Sequence, residues 1–461
     1  MSLPEPRPES ARNLPPGPGV FTQEQIRCLE EDGILLPQAQ PHISGKRKVS
    51  SAFSPPKSSS GSSASVKIWG FQPDVIQTFD IPMEEESIEV LEYVGFVPSA
   101  AKLIYERYIN RPDPDRNPDD LMQYVFGHIG SLKSRRYDNM SHREALRQIG
   151  LNLQIQEAIT DPRFSRIFGT ETLHYWAKDT VQTNYAALFS RQRLLRRHAN
   201  QRIEYKNKRK KSRHQASLPQ EQGASQNPAV TATINMTPRD FRFPEAYVAM
   251  QTEVNTLNDH ISLYKGKAYE ELNREEGIVN DDGTINLTPL LTYPGGDTNW
   301  DKIAYYWNPE KETAEEYRKY AARRCPTSET CIIRIQIPWS LFIHRLRREV
   351  IWYSPEWKEY IWTCRKSVPP HRKFNRILRA DLVISHICSR LSGQIMRIPW
   401  QDVQTCITED DVMRLPSGRK ATQWMFAQHD TSTTEQLAKE IRGKIHFDIF
   451  EAAVRSSMTT T

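Results

Sequence analysis

Three stretches decide the fold of this chain: Leu263-Tyr-Lys-Gly-Lys267, Ala304-Tyr-Tyr-Trp-Asn-Pro-Glu-Lys-Glu-Thr-Ala-Glu-Glu-Tyr317 and Pro355-Glu-Trp-Lys-Glu-Tyr-Ile-Trp362. The first two contain short runs of aliphatic and aromatic residues, which are typical of strands. The second then continues into a helix that begins near Thr313-Ala314. The third is expected to place Glu359 at the beginning of a strand over residues 360–363.

The rest of the C-terminal half, which is predicted to form one domain over residues 231–455, follows the same mixed pattern. Short runs rich in β-branched and aromatic residues predict strands at 261–264, 304–307, 331–337, 360–363, 382–384 and 423–426. Helices are expected at 269–276, 313–323 and 434–442, with turn signals such as Pro294-Gly-Gly296 between elements. Because strands outnumber helices and do not alternate regularly with them, the pattern favours α+β over a doubly wound sheet.

The N-terminal half has a different pattern, which predicts an all-helical domain over residues 66–205. Leu103, Ile104 and Tyr108 repeat at the spacing of one helix face. Ser141-His-Arg-Glu144 fits a capping box that begins another helix. A last, long helix is expected to run from about Thr172 into a basic segment. These apolar faces are expected to form a core rather than a cofactor site.

Composition predicts two further segments. Residues 1–65 are rich in proline and serine, so they are expected to form a disordered tail. A short amphipathic patch at 22–36 could form a transient helix within it. Residues 206–230 combine a basic run with a Gln/Ser/Pro/Ala stretch and are expected to be a linker. The chain carries a net charge of +6, but residues 191–214 alone contribute +10, from eleven Lys and Arg against Glu204.

The cysteines and the apolar runs indicate an intracellular protein. Six cysteines are present, but none forms a C-x-x-C pair, so buried thiols are expected rather than a metal site. The N-terminus has no apolar run typical of a secretory signal, and no uncharged apolar run approaches the ~20 residues that span a bilayer. We therefore expect a nuclear or cytoplasmic location and no membrane partner.

In their order and spacing, the three quoted stretches resemble the motifs of the ADP-ribosyltransferase fold, the family that cleaves NAD. The resemblance covers roughly residues 264–426 and is nearest to transferase-like domains of bacteria and filamentous fungi. It implies a mixed, mainly antiparallel split sheet that builds one nicotinamide pocket from three strands. It also implies NAD as a substrate and a protein or nucleic-acid acceptor.

The resemblance implies a role for six residues. Glu359 would be the catalytic carboxylate, which stabilises positive charge developing on the ribose. The residues that would bind NAD are Lys265, Gly266, Tyr306, Thr313 and Tyr317. Lys265 stands where the family usually has a histidine that binds the NAD ribose, and lysine has a longer reach and a fixed charge.

Each of these residues also has a structural interpretation, which leaves a second class of function open. Tyr306 could be a core aromatic, Glu359 a solvated surface carboxylate and Gly266 a turn residue. Arg365 is expected to be a salt-bridge partner more often than a phosphate ligand. The alternative is a non-catalytic binding or regulatory protein that retains the fold.

The basic segment allows three interpretations. Lys206-Asn-Lys-Arg-Lys-Lys-Ser-Arg213, with Arg196-Arg197 upstream, could bind a nuclear-import receptor as a bipartite signal. It could also be a solvated linker, or it could bind nucleic acid through counterion release. Aromatic residues do not alternate with these basic residues, which disfavours single-strand binding.

Overall fold

The computed structural model describes residues 19–36, 45–50, 66–69, 78–112, 119–137, 139–215, 256–272, 278–280, 284–340, 342–429, 431–450 and 452. Two predictions lie partly outside these residues: the linker beyond residue 215, and the helix over its last part, 273–276. Within them, no helix is both long enough and apolar enough to cross a membrane.

Eight helices of the described part lie before residue 216. They are α1 (Gln23–Glu31), α2 (Ile88–Tyr93), α3 (Pro98–Ile109), α4 (Leu121–Gly130), α5 (His142–Gln148), α6 (Leu153–Ile159), α7 (Ser165–Phe168) and α8 (Leu173–Gln215). The capping prediction for α5 is confirmed, because the Ser141 side chain accepts a hydrogen bond from the backbone NH of Glu144.

Three short strands accompany these helices: β1 (Lys46–Ser50), β2 (Val66–Trp69) and β3 (Thr78–Pro82). β1 and β3 form an antiparallel pair. The prediction of a disordered tail over 1–65 is therefore wrong for residues 19–36 and 45–50. The prediction fails because Leu29 and Leu35 pack with Val49 and with Leu188 of α8 in a small core. These residues therefore bury apolar area.

The remaining strands are β4 (His260–Ala268), β5 (Leu291–Thr292), β6 (Ala304–Trp307), β7 (Thr330–Pro338), β8 (Arg348–Ile351), β9 (Leu382–His386), β10 (Thr422–Ala427) and β11 (Ile445–Phe450). The remaining helices are α9 (Lys311–Arg324), α10 (Pro355–Lys366), α11 (Asn375–Leu378), α12 (Ser392–Arg397), α13 (Val403–Cys406) and α14 (Thr431–Ile441). The predicted strands at 261–264, 304–307, 331–337, 382–384 and 423–426 are confirmed within these bounds.

The C-terminal strands form two sheets. One has the order β5-β6-β10-β9-β8 and the other the order β2-β11-β7-β4. All pairs are antiparallel except β8 with β9 and β2 with β11. The described residues thus combine helices with mainly antiparallel sheets, which confirms the α+β class.

The two sheets pack against each other and also join at one point. Ile333 and Ile335 of β7 share a core with Trp307 of β6 and Phe426 of β10. Tyr264 of β4 and Asn308, which follows β6, exchange two backbone hydrogen bonds of 2.7 and 2.9 Å. This junction brings the end of β6 next to Lys265.

The predicted strand at 360–363 is wrong, because these residues belong to helix α10. The Ser354 side chain caps the helix through the backbone NH of Trp357, and Pro355 occupies the first turn. The face of α10 that carries Trp357 and Ile361 packs on the five-stranded sheet, against Val383 and Met425. Glu359 is therefore a helical residue.

The predicted division of the chain also needs correction. The four residues of β2 belong to the C-terminal sheet through their pairing with β11, although they were assigned to the all-helical domain of residues 66–205. The expected linker at 206–230 begins too early, because α8 continues as a helix to Gln215. The two halves also share a core, in which Tyr320 of α9 packs with Trp176 of α8.

Candidate functional site

A cavity of about 150 Å³ lies where the start of α8 meets β4, β6 and α9. It is partly open to solvent. Its lining is mostly aromatic and charged, and includes Glu171, Tyr175, Trp176, Asp179, Lys265, Gly266, Lys267, Glu271, Asp297, Tyr306, Tyr317 and Arg324. Four of the six predicted site residues, Lys265, Gly266, Tyr306 and Tyr317, are thus brought together.

Gly266 lets α9 approach β4 closely enough to form this cavity. A Cβ atom built on Gly266 would lie 1.8 Å from the backbone oxygen of Ala314 in α9. Such a contact is impossible without displacement of the backbone, so the position requires glycine. Gly266 thus has a packing role in addition to its place in the cavity wall.

Tyr306 is held in place by its phenol group. The phenol donates a hydrogen bond to Oδ1 of Asn299 (2.8 Å) and accepts one from the backbone NH of Thr298 (3.1 Å). Tyr317 also contributes its ring to the wall. Burial raises the pKa of both phenols, so they are neutral at physiological pH.

Most charges at the cavity are neutralised by a partner. Asp179 and Arg324 form a buried ion pair of 2.8 Å, with the guanidinium lying over the rings of Trp176 and Tyr320. Lys267 pairs with Glu271 four residues along the chain. Asp297 pairs with Arg365 of α10, whose side chain has no exposed surface, so the expectation of a salt-bridge role for Arg365 is confirmed.

Lys265 and Glu171 differ from these pairs. The Lys265 ammonium nitrogen donates a hydrogen bond to the backbone oxygen of Tyr306 (2.9 Å), and no carboxylate among the described residues forms an ion pair with it. Burial, aided by the charge of Lys267, lowers the pKa of Lys265 to about 7. Burial raises the pKa of Glu171 to about 7, against the opposing effect of the Arg365 charge and with a contribution from Asp297 and Asp179. Both groups therefore exchange protons near neutrality.

Two predicted site residues do not line the cavity. The Thr313 hydroxyl is buried and donates to Oε2 of Glu310 (3.2 Å). Glu359 contacts Lys373 and accepts a hydrogen bond from Nε2 of Gln404 (3.0 Å). Because Glu359 lies on helix α10 rather than at the beginning of a strand, it is not part of the cavity wall.

Sequence reasoning missed the acidic residues of the cavity. Glu171 lies just before α8, Asp179 lies in the first part of α8, whose apolar face is predicted as core, and Asp297 lies in the loop before β6. The sequence predicts only a turn at Pro294-Gly-Gly296, next to Asp297. No local pattern distinguishes such residues, since they converge only through tertiary packing.

The basic segment lies at the end of α8 and is partly engaged with the N-terminal elements. Arg202 forms an ion pair with Asp32 (2.7 Å), and Lys206 with Glu31. Arg196 pairs with Glu85 (3.3 Å). Lys208 and Arg209 are exposed. The side chains of residues 210–213 are outside the described part of the chain.

The cysteines are present as free thiols, five buried and Cys406 exposed. In the described ranges, no three His, Cys, Asp or Glu side chains are grouped as a metal site. Comparisons with protein-family models, with curated proteins and with solved structures found no match to this chain.

Proposed function

We propose that the cavity binds the nicotinamide ring of NAD and that the protein cleaves NAD or transfers its ADP-ribosyl group. The observation that carries the proposal is the convergence of Lys265, Gly266, Tyr306 and Tyr317 in one cavity, together with the carboxyl of Glu171. The arrangement of two sheets that join at Tyr264 and Asn308 is compatible with the split sheet of ADP-ribosyltransferases.

The size of the cavity supports a single flat ring. Its volume is about 150 Å³, and a cavity of about that size in another protein binds benzene. Aromatic walls favour such a ring by stacking. The ribose, the phosphates and the adenosine of NAD would then lie outside the cavity, at its open side.

Glu171 is the proposed carboxylate, in place of Glu359. NAD cleavage develops positive charge on the ribose, and a carboxylate at that position stabilises the transition state more than the ground state. Glu171 lines the cavity, whereas Glu359 is engaged with Lys373 and Gln404 on α10. The ionised form of Glu171 would carry the activity, so the rate should rise with pH through about 7.

The test uses the full chain, because residues before 216 form part of the cavity. NAD and nicotinamide are titrated separately by calorimetry, and nicotinamide released from NAD is measured by chromatography. We expect Glu171→Gln to reduce release on the order of 10²-fold or more while changing NAD binding little. Glu359→Gln is the matched control and should leave release unchanged. Loss of release in Glu359→Gln alone would contradict this assignment.

The second candidate is a non-catalytic binding protein that retains the fold. It is favoured by the position of Glu359, which the family resemblance assigned to catalysis but which lies outside the cavity. Binding of NAD or nicotinamide without release would support this candidate. Absence of binding at millimolar NAD and nicotinamide would reject both.

A further inference from the structure

The Lys265 side chain lies in the wall of the cavity, a position in which its amine could act as a nucleophile. Its ammonium nitrogen donates a hydrogen bond to the backbone oxygen of Tyr306 (2.9 Å). Lys267, two residues along the same strand, lines the same cavity but is held in an ion pair with Glu271. The two lysines thus share a strand and a cavity and differ in their electrostatic partners.

Burial without a carboxylate partner favours the neutral amine. A charged ammonium loses its hydration on burial, and only a nearby anion would compensate. Besides Lys265, the charged groups that line the cavity are Lys267, Glu271, Asp179, Arg324, Asp297 and Glu171. Lys267 pairs with Glu271, Asp179 with Arg324, and Asp297 with Arg365. The pKa of Lys265 is lowered to about 7, so about half of the amine is unprotonated at pH 7, against well under ~0.1% for an exposed lysine.

We propose that Lys265 forms an imine with a small carbonyl compound that enters this cavity. The unprotonated amine attacks the carbonyl carbon, the π electron pair moves to the oxygen, and one proton passes from the nitrogen to that oxygen, which gives a carbinolamine. The hydroxyl of the carbinolamine then takes a second proton and leaves as water, and the nitrogen gives up its remaining proton, which leaves a C=N bond. The step involves no oxidation or reduction.

Glu171 is the group in the cavity that can move these protons. Its carboxyl also titrates near neutrality, so its acid form can donate a proton to the leaving oxygen and its base form can accept one from nitrogen. The phenols of Tyr306 and Tyr317 remain neutral and provide ring faces rather than charge. The cavity volume of about 150 Å³ selects an aldehyde or ketone with at most one six-membered ring.

The experiment traps the imine. The full-length protein is incubated with pyridine-3-carbaldehyde and sodium cyanoborohydride, which reduces the imine to a stable secondary amine. Peptide mass spectrometry then measures the adduct at each lysine. We expect modification of Lys265 at least about tenfold faster than of Lys267, with a rate that increases from pH 6 to pH 8.

Lys265→Arg should abolish the cavity adduct, and Lys267→Arg, the matched control, should preserve it. Equal labelling of Lys265, Lys267 and the exposed Lys311 in the wild-type protein would overturn the proposal, whether or not the variants fold. The result is independent of the NAD proposal, because trapping does not require NAD. An adduct at Lys265 in a protein that does not bind NAD would support the imine and reject the NAD site.

Discussion

Arg365 and Asp297 form an ion pair in which the arginine side chain has no exposed surface. Nε of Arg365 lies 2.7 Å from Oδ1 of Asp297, and its terminal nitrogens donate to backbone oxygens that include Gly169 and Cys388. The other oxygen of Asp297 accepts a hydrogen bond from the backbone NH of Cys388 (2.8 Å). The pair therefore connects α10, the end of β9 and the segment that leads into α8.

Arg365→Met should strongly destabilise the protein. It leaves the Asp297 carboxylate buried without its positive partner, which costs about 3–5 kcal/mol in comparable sites. Urea denaturation would measure the loss. The matched control is Arg143→Met, which breaks an exposed pair with Glu157 and should cost less than about 1 kcal/mol. Similar effects of the two substitutions would contradict the structural role of Arg365.

Gly266→Ala should destabilise the contact between β4 and α9. The added methyl group would clash with the backbone oxygen of Ala314, and overpacking of this kind costs about 1–3 kcal/mol or more. Gly127→Ala serves as the control, because Gly127 is exposed in α4 and a Cβ there meets no atom within 4 Å. That change should stabilise the helix by about 0.5–1 kcal/mol. Thermal unfolding midpoints should therefore shift in opposite directions.

Stability should depend on pH through Glu171. Its folded-state pKa of about 7 lies above the usual value of 4.5 for a glutamate, so the native state binds more protons than the unfolded state between these values. Its contribution to stability is therefore present below about pH 4.5 and is lost as the pH rises through 7, by on the order of 2–3 kcal/mol. Glu171→Gln should remove this decline in unfolding midpoints measured from pH 5 to 8. An unchanged decline would contradict the assigned pKa.

Lys265 should have the opposite effect at higher pH. Its folded-state pKa of about 7 lies below the usual value of 10.5 for a lysine, so the unfolded state binds more protons between these values. Stability from this group should thus rise with pH from about 7 to 10.5 and be lost as the pH falls through 7. Lys265→Met should flatten that rise in midpoints measured from pH 7 to 10, whereas Lys267→Arg, which keeps the neighbouring positive charge, should retain it.

The import interpretation of the basic segment predicts a change in location. Replacing Lys208, Arg209, Lys210 and Lys211 by alanine should shift a fluorescent fusion towards the cytoplasm, since a bipartite signal needs its basic run. Lys102→Ala with Lys319→Ala removes exposed charge elsewhere and should leave the location unchanged. An unchanged distribution in the basic-run variant would favour a structural role for the end of α8.

The sequence predicts most of the C-terminal strands, because a buried strand such as β7 consists of a local run of isoleucines. It fails at 360–363, where Tyr-Ile-Trp-Thr has the composition of a strand. Ser354-Pro355 instead indicates a helix, because a capping serine before a proline marks the beginning of a helix. At 19–36 and 45–50, apolar residues too few to form a core alone are stabilised by packing on α8, which no local pattern reveals.

The site was predictable only where its residues lie in β4, β6 and α9. Gly266 and Tyr306 belong to short, recognisable stretches, and the structure does place them in one cavity. Glu171 comes from a distant segment and owes its position to the packing of α8 on α9. Its role could not be deduced from its neighbours in the chain.

The pairing of β2 with β11 has a consequence for any attempt to isolate the C-terminal half. β11 is hydrogen-bonded to β2 on one side and to β7 on the other. A fragment that begins at residue 231 would lack β2 and would expose the backbone donors and acceptors of residues 447–450. An open strand edge of this kind recruits strands from other molecules. The four residues of β2 therefore cover one edge of β11, and the fragment should self-associate more strongly than the full chain.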